Sequence, residues 1–198
     1  FLKNKKYLQK KKISISDESL EELTFEEFEE IEKLTVIVNK DKSIKSYKDP
    51  IDLEKFKFNP HPFKHSLLWV RAFSSIYNPD LAVKILYEVK KIYKDATLTM
   101  VGPDHGSLEG VNKLINKLDL TESINITGPI ENEQLSNYYQ THQVYINTTS
   151  YESFGMAICE AAASGIPVVS TNVGEISYQW LHDKNMLIVD DFDPKDFS

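Results

Sequence analysis

The chain has 198 residues, 41% of them hydrophobic and 27% charged, with a formal net charge of −7; this is globular composition, long enough for one full domain and part of another, and the acidic balance excludes a general nucleic-acid binder, which needs a positive surface to displace counterions. Cys159 is the lone cysteine, which excludes an intrachain disulfide framework and points to a reducing compartment. No apolar run of membrane-spanning length and no secretory signal pattern is visible, so a cytoplasmic protein is expected, with membrane contact at most peripheral, at the inner face.

The first sixty-odd residues are less orderly than the rest. Lys3, Lys5, Lys6, Lys10, Lys11 and Lys12 crowd the start, and the stretch from Asp17 to Glu32 is strongly acidic. The basic start reads as a solvated, frayed segment in preference to a membrane-hugging one. The first residue is Phe1, which points to a chain that begins inside a longer polypeptide or at a processed end. Leu34 to Asn39 reads as a strand and Pro50 to Phe56 as a connector carrying a short helical turn, so residues 1–65 are taken as an N-terminal segment with its connector.

From about residue 66 the pattern becomes regular, and residues 66–198 are expected to form one domain. Strands are predicted at Leu67–Val70, Ala96–Val101, Ile124–Thr127, Val144–Asn147, Val168–Ser170 and Leu187–Val189. Helices are predicted between them at Pro79–Tyr93, Leu108–Leu118, Glu131–Tyr139, Met156–Ser164 and Ile176–Leu181, with Asn78 and Ser107 as N-caps. Short apolar strands alternating with helices predict an α/β domain, Rossmann-like, with a doubly wound parallel sheet. Ligands gather beyond the carboxyl ends of such strands.

The loops at that edge carry the chemistry. Tyr151 to Ser170 is the most informative stretch: Glu152 stands at the mouth of a helix of small apolar residues, and Glu160 lies inside it. A carboxylate in that setting is costly unless hydrogen-bonded, and ligand hydroxyls are the simplest candidates. Arg71 is the only arginine in the chain, just past the first predicted strand. Its planar fork suits bidentate phosphate recognition, against a structural ion pair as the plainer reading. Gly102, in Val101–Gly106, and Gly128 leave the backbone open to a planar base or a phosphate, or simply form turns. The five histidines show no metal spacing, and Asp190, Asp191 and Asp193 read as a solvated loop, so no metal is expected. Cys159 reads as a small buried hydrophobe.

Together, Glu152-Ser153-Phe154-Gly155 with Glu160, the run Ala161 to Val169, Trp69-Val70-Arg71, Thr99 to Gly102, Thr127 to Ile130, and Asn172 to Gly174 resemble the C-terminal half of a retaining glycosyltransferase of GT-B architecture, in the family-4 (glycogen-synthase-like) group. The resemblance implies the donor-binding half of a retaining hexosyltransferase that takes a nucleotide-diphosphate sugar, needs no cofactor or metal, and serves a glycan or glycolipid acceptor. It implies a catalytic place for Glu152 beside the donor sugar, backbone contacts from Phe154 and Gly155 to sugar and diphosphate, a place for Ser153 in the same binding set, and Glu160 on ribose hydroxyls. Arg71 would hold the diphosphate, Ile130 would contact the base through its backbone, and Gly102 would line the same cleft. The family's N-terminal acceptor domain is not evident, so the chain alone is expected to bind and not to turn over. Three positions depart from the pattern: Val70 and Ile76 stand where the family has glycine and a phosphate lysine, and Glu175 where it has a second glycine. These departures leave a rival reading, a noncatalytic sugar-nucleotide or glycan-binding module on the same fold. A dinucleotide-binding dehydrogenase is disfavoured, because Gly102, Gly106 and Gly110 have the wrong spacing for G-x-G-x-x-G.

Overall fold

The computed structural model describes Ile51, residues 54–58 and residues 63–198. The basic start, the acidic stretch and the predicted strand at Leu34–Asn39 lie outside the described residues. Six strands, β1 (Ser66–Val70), β2 (Thr97–Val101), β3 (Ile124–Gly128), β4 (Val144–Asn147), β5 (Val168–Thr171) and β6 (Leu187–Val189), form one sheet in the order β3-β2-β1-β4-β5-β6. Every pairing is parallel. The helices are α1 (Pro79–Ile92), α2 (Leu108–Lys117), α3 (Asn132–Thr141), α4 (Met156–Ala163) and α5 (Ile176–Gln179), with 3-10 turns at Ser75–Tyr77, Thr121–Ser123 and Pro194–Phe197. The expected Rossmann-like α/β fold is present, and the predicted element boundaries hold to within a residue or two.

Strand alternation divides the core between the two faces. Leu67, Trp69, Leu98, Met100 and Ile146 pack with Leu81, Ile85 and Leu86 of α1 and Val111 and Ile115 of α2. Leu68, Tyr145 and Val168 turn the other way, onto Tyr139 of α3 and Ala157, Ile158 and Ala161 of α4, where Phe56 of the connector also inserts. Strands buried on both faces explain the nearly unbroken apolar runs. No helix among the described residues is long and apolar enough to cross a membrane.

Two helix starts differ from expectation. Asn78 occupies the N-cap position of α1 in a left-handed conformation, but its side chain makes no capping bond. Before α2, Ser107 holds the N-cap position but its hydroxyl makes no capping bond; instead Asp104 Oδ1 accepts from the N–H groups of Gly106 at 2.8 Å and Leu108 at 3.2 Å. The carboxylate wins over the hydroxyl because it takes two amides at once and carries charge.

The chain reverses its direction of growth across the sheet at β1 and β4, and the buried hydroxyls of Thr148 and Thr149, with the exposed one of Ser150, join the two loops that leave there. Thr148 Oγ1 accepts from the indole N–H of Trp69 at 2.9 Å and donates to the Tyr77 carbonyl at 2.8 Å. The Ile76 carbonyl accepts from Thr149 Oγ1, from Ser150 Oγ and from the Ser150 amide. Replacing Thr148 by valine keeps its shape but strands the Trp69 N–H and the Tyr77 carbonyl. Thr148→Val is expected to cost about 2–4 kcal/mol, the penalty of two buried unpaired groups, read from the midpoint of urea unfolding. A cost within error of zero would mean that water replaces the hydroxyl.

Candidate functional site

Arg71 leaves the carboxyl end of β1, and Glu152 follows the polar run Asn147–Ser150 at the end of β4. These neighbouring strands bring the two together although they lie 81 positions apart in sequence: Arg71 Nη2 donates to Glu152 Oε2 and, at 3.5 Å, to Asn147 Oδ1. Asn147 is itself fixed by donating to Ser170 Oγ at 3.0 Å. The other oxygen of Glu152, Oε1, accepts from the amides of Ser153 at 3.2 Å, Phe154 at 3.4 Å and Gly155 at 2.9 Å. Gly155 takes φ +80°, the left-handed region that glycine tolerates, and this turns the chain into α4 with three successive N–H groups on one oxygen.

Backbone approach fixes both partners. A Cβ at Gly102 would stand 1.9 Å from the Arg71 carbonyl oxygen, and one at Gly174 1.9 Å from the Glu152 carbonyl oxygen. Gly102 therefore does not offer its bare backbone to a base or phosphate on this side, because Arg71 itself occupies that space. The Gly102 amide donates to the Gly128 carbonyl at 3.0 Å, which ties the loops after β1, β2 and β3 together. Ile130, two residues on, packs partly buried against the α3–α4 side of the core.

Glu160 sits half-buried on α4, where it has a protein partner: the Tyr139 hydroxyl donates to its Oε2 at 3.0 Å. Burial pushes the carboxyl above its ordinary range, opposed by that hydrogen bond and by the charges of Lys55 and Arg71. Tyr145, fully enclosed beneath the site, is pushed up to about 12 by burial. Both phenols therefore stay neutral, Tyr139 as a donor to Glu160. Cys159 is only partly buried, against expectation, and burial raises its thiol.

Arg71, Gly102, Ile130 and the stretch from Glu152 to Gly155 all follow the carboxyl ends of parallel strands, β1, β2, β3 and β4 in turn. Arg71, Glu152, Ser153, Phe154 and Gly155 form one bonded cluster; Gly102 braces it, while Ile130 and Glu160 flank it. Sequence reasoning missed Asn147, Tyr139, Tyr145 and the role of Gly174. A polar run closing an apolar strand was the visible sign of Asn147, whereas nothing local marks Tyr139 as the partner of a carboxylate 21 residues later. No group of three or more His, Cys, Asp or Glu converges among the described residues; Asp191 and Asp193 accept from the amides of Asp193 and Lys195 in their own turn.

The family model of glycosyl transferases group 1 matches residues 51–198. A D-inositol 3-phosphate glycosyltransferase of Pseudarthrobacter chlorophenolicus is 27% identical over 140 residues, covering 69% of this chain and 33% of that protein. A component of the human phosphatidylinositol N-acetylglucosaminyltransferase is 32% identical over 134 residues, 65% of this chain and 26% of that protein. The chain thus spans about a third or less of the length of these curated relatives. Among solved structures, the Anabaena protein HepE in complex with UDP and glucose aligns at TM-score 0.66 and 16% identity, over 74% of this chain and 43% of that one.

The raised Glu160 carboxyl has a consequence for stability. When the folded value lies above the unfolded one, the folded chain holds the proton more tightly. The carboxylate therefore erodes stability as pH climbs from the unfolded value through the folded one, and its full cost remains above that window. Glu160→Gln keeps an acceptor for Tyr139 and removes the charge. It is expected to raise the melting temperature at about pH 7.5, with the gain fading towards about pH 4. Calorimetry at both pH values checks this; a variant less stable at neutral pH would mean that the charge is favourably paired.

Proposed function

We propose a donor-binding role for this chain, which belongs to the glycosyl transferases group 1 family. The whole protein would transfer a hexosyl group, with retention, from a nucleotide-diphosphate sugar to a glycan or glycolipid acceptor. The observation that carries this reading is the convergence of Arg71, Glu152 and the amino end of α4 at the point where the sheet reverses, the crevice where open α/β sheets bind ligands. HepE, whose structure holds UDP and glucose, shares this fold.

Each group then has a chemical task. As the bond from the sugar to the diphosphate breaks, its electron pair goes to the phosphate oxygen and the sugar becomes oxocarbenium-like. Fixed donors for that oxygen are Arg71 and the amides that open α4, held in place before the reaction and so free of reorganisation cost. Glu152 would stand beside the donor sugar, where its negative charge favours the developing cation; calling it a nucleophile is not required by this geometry. Glu160, oriented by Tyr139, would accept from ribose hydroxyls, Ile130 would border the base, and Gly102 would brace Arg71 from behind. This charge distribution supports a reading without a metal. The acceptor and the facing wall of the cleft would come from an N-terminal domain, with membrane contact at most peripheral on the cytoplasmic face.

One observation keeps the noncatalytic reading in play. Ile76 is 42% exposed and its carbonyl is anchored to Ser150 on the rim of the site, so a position well placed to supply a cation carries none. Transfer activity in a full-length chain decides against that reading.

A nucleotide that binds only the folded chain raises its melting temperature. One of UDP, GDP or ADP, or its sugar conjugate, is expected to do so equally with and without magnesium. Arg71→Ala and Glu160→Ala are each expected to weaken that binding about 10- to 100-fold, the worth of a charge-assisted hydrogen bond. Wild-type affinity in both variants would remove the site assignment.

A further inference from the structure

We infer that Glu152 is a latch on the site: in the ligand-free chain its carboxylate fills the anion position made by Arg71 and the Ser153, Phe154 and Gly155 amides of the turn that leads into α4, and a diphosphate binds by displacing it. This rests on the donor-binding reading above, which gives those same donors to the diphosphate. The Arg71 Nη2 and the three amides of the turn into α4 are already engaged, while the Arg71 Nε–H is buried without a partner. Oε1 of Glu152 takes the amides of Ser153, Phe154 and Gly155, the last at 2.9 Å, and Oε2 takes Arg71. The two side chains keep only 14% and 12% of their surface exposed, so the pair is largely withdrawn from water and its attraction is little screened.

A phosphate cannot simply join this arrangement. A second anion on the same three amides would face the carboxylate at contact distance in a poorly solvated place, and like charges so close destabilise each other. Ile76, on the same rim, brings no second cation. The main chain of Glu152 is held separately: its carbonyl accepts from the Glu175 amide at 3.1 Å, and Gly174 packs against it. Displacement therefore requires rotation of one side chain and no movement of the loop. A ligand bearing a sugar offers hydroxyls to receive the displaced carboxylate, whereas a bare diphosphate offers none. The latch thus favours the sugar-bearing ligand over the spent diphosphate, and its return helps to expel the latter.

The test is calorimetric titration of inorganic pyrophosphate, and separately of UDP, GDP and ADP, into the 198-residue chain and its Glu152→Gln variant, with Glu152→Ala as a second variant and circular dichroism to confirm folding. The variants are expected to bind pyrophosphate about tenfold more tightly than the parent, since a neutral or absent competitor replaces a charged one. Equal or weaker binding, or no binding by either protein, overturns the latch. If pyrophosphate binding tightens while no nucleoside diphosphate binds any of the proteins, the latch stands and the donor-binding reading falls. If one nucleoside diphosphate binds parent and variants alike and pyrophosphate affinity is unchanged, the donor reading stands and the latch falls.

Discussion

The reversal of the sheet at β1 and β4 is the constraint from which the rest of the site follows. Two strands, β2 and β3, are added outward on one side of β1, and the chain then crosses to its other edge, where β4 pairs in register with Leu67 and Leu68. Loops leaving two adjacent parallel strands towards opposite faces of a sheet must part, and a crevice opens between them without any special sequence. What the sequence adds is chemistry at the two lips. Arg71 comes from one and Glu152 from the other, and their separation of 81 positions is closed by the pairing of the strands beneath them.

Holding those lips at a fixed distance is the task of buried polar groups, which a sheet edge ordinarily lacks. Buried Thr148 and Thr149 direct their hydroxyls to the carbonyls of Tyr77 and Ile76, and Thr171 Oγ1 donates to the Thr149 carbonyl at 2.7 Å. The hydroxyls of Thr148, Thr149 and Thr171 each have a partner, so the network rigidifies the site instead of weakening the core. The glycines serve the same end. Gly102 and Gly174 bring one main chain against another so closely that no side chain fits, and it is the backbones of Arg71 and Glu152 that are clamped. Rigid main chain under a movable side chain is a sound basis for binding an anion, because the donors are oriented beforehand while the group that must yield can rotate.

Much of this was legible in the sequence, and the part that was not has a physical cause. Apolar runs such as Leu67–Val70 and Val168–Val169 revealed the strands because burial on both faces demands unbroken hydrophobicity. The small-residue helix after Gly155 and the lone arginine after β1 revealed the site. Strand order was not legible, since alternation of β and α fixes a parallel sheet but not which neighbour each strand takes. Nor was Tyr139 as the partner of Glu160, because α3 and α4 meet through tertiary packing. Ser107 holds the N-cap position of α2 as expected, but its hydroxyl makes no capping bond: cap preference is a local statistic, and Asp104, one turn earlier, takes the Leu108 amide. The fold-back of Glu152 onto its own following amides depends on the left-handed turn at Gly155, which a glycine permits but does not announce.

Charge in the site runs against the charge of the molecule, and that decides what kind of anion binding it supports. A chain of net charge −7 offers no general attraction to a nucleotide, and screening removes most of any long-range field in salt. Binding must come from short-range donors: one guanidinium and the amides at the start of an eight-residue helix. Such donors act over a few ångströms and reward a ligand whose oxygens fall where they point, so they select by geometry where a lysine-rich cleft would select by charge. With Glu152 paired to Arg71, the one guanidinium of the crevice is already compensated before a ligand arrives. On the donor-binding reading proposed above, such a site would discriminate against free phosphates and favour a ligand that satisfies the carboxylates with hydroxyls while its own oxygens take the amides, a combination that a sugar joined to a nucleoside diphosphate provides.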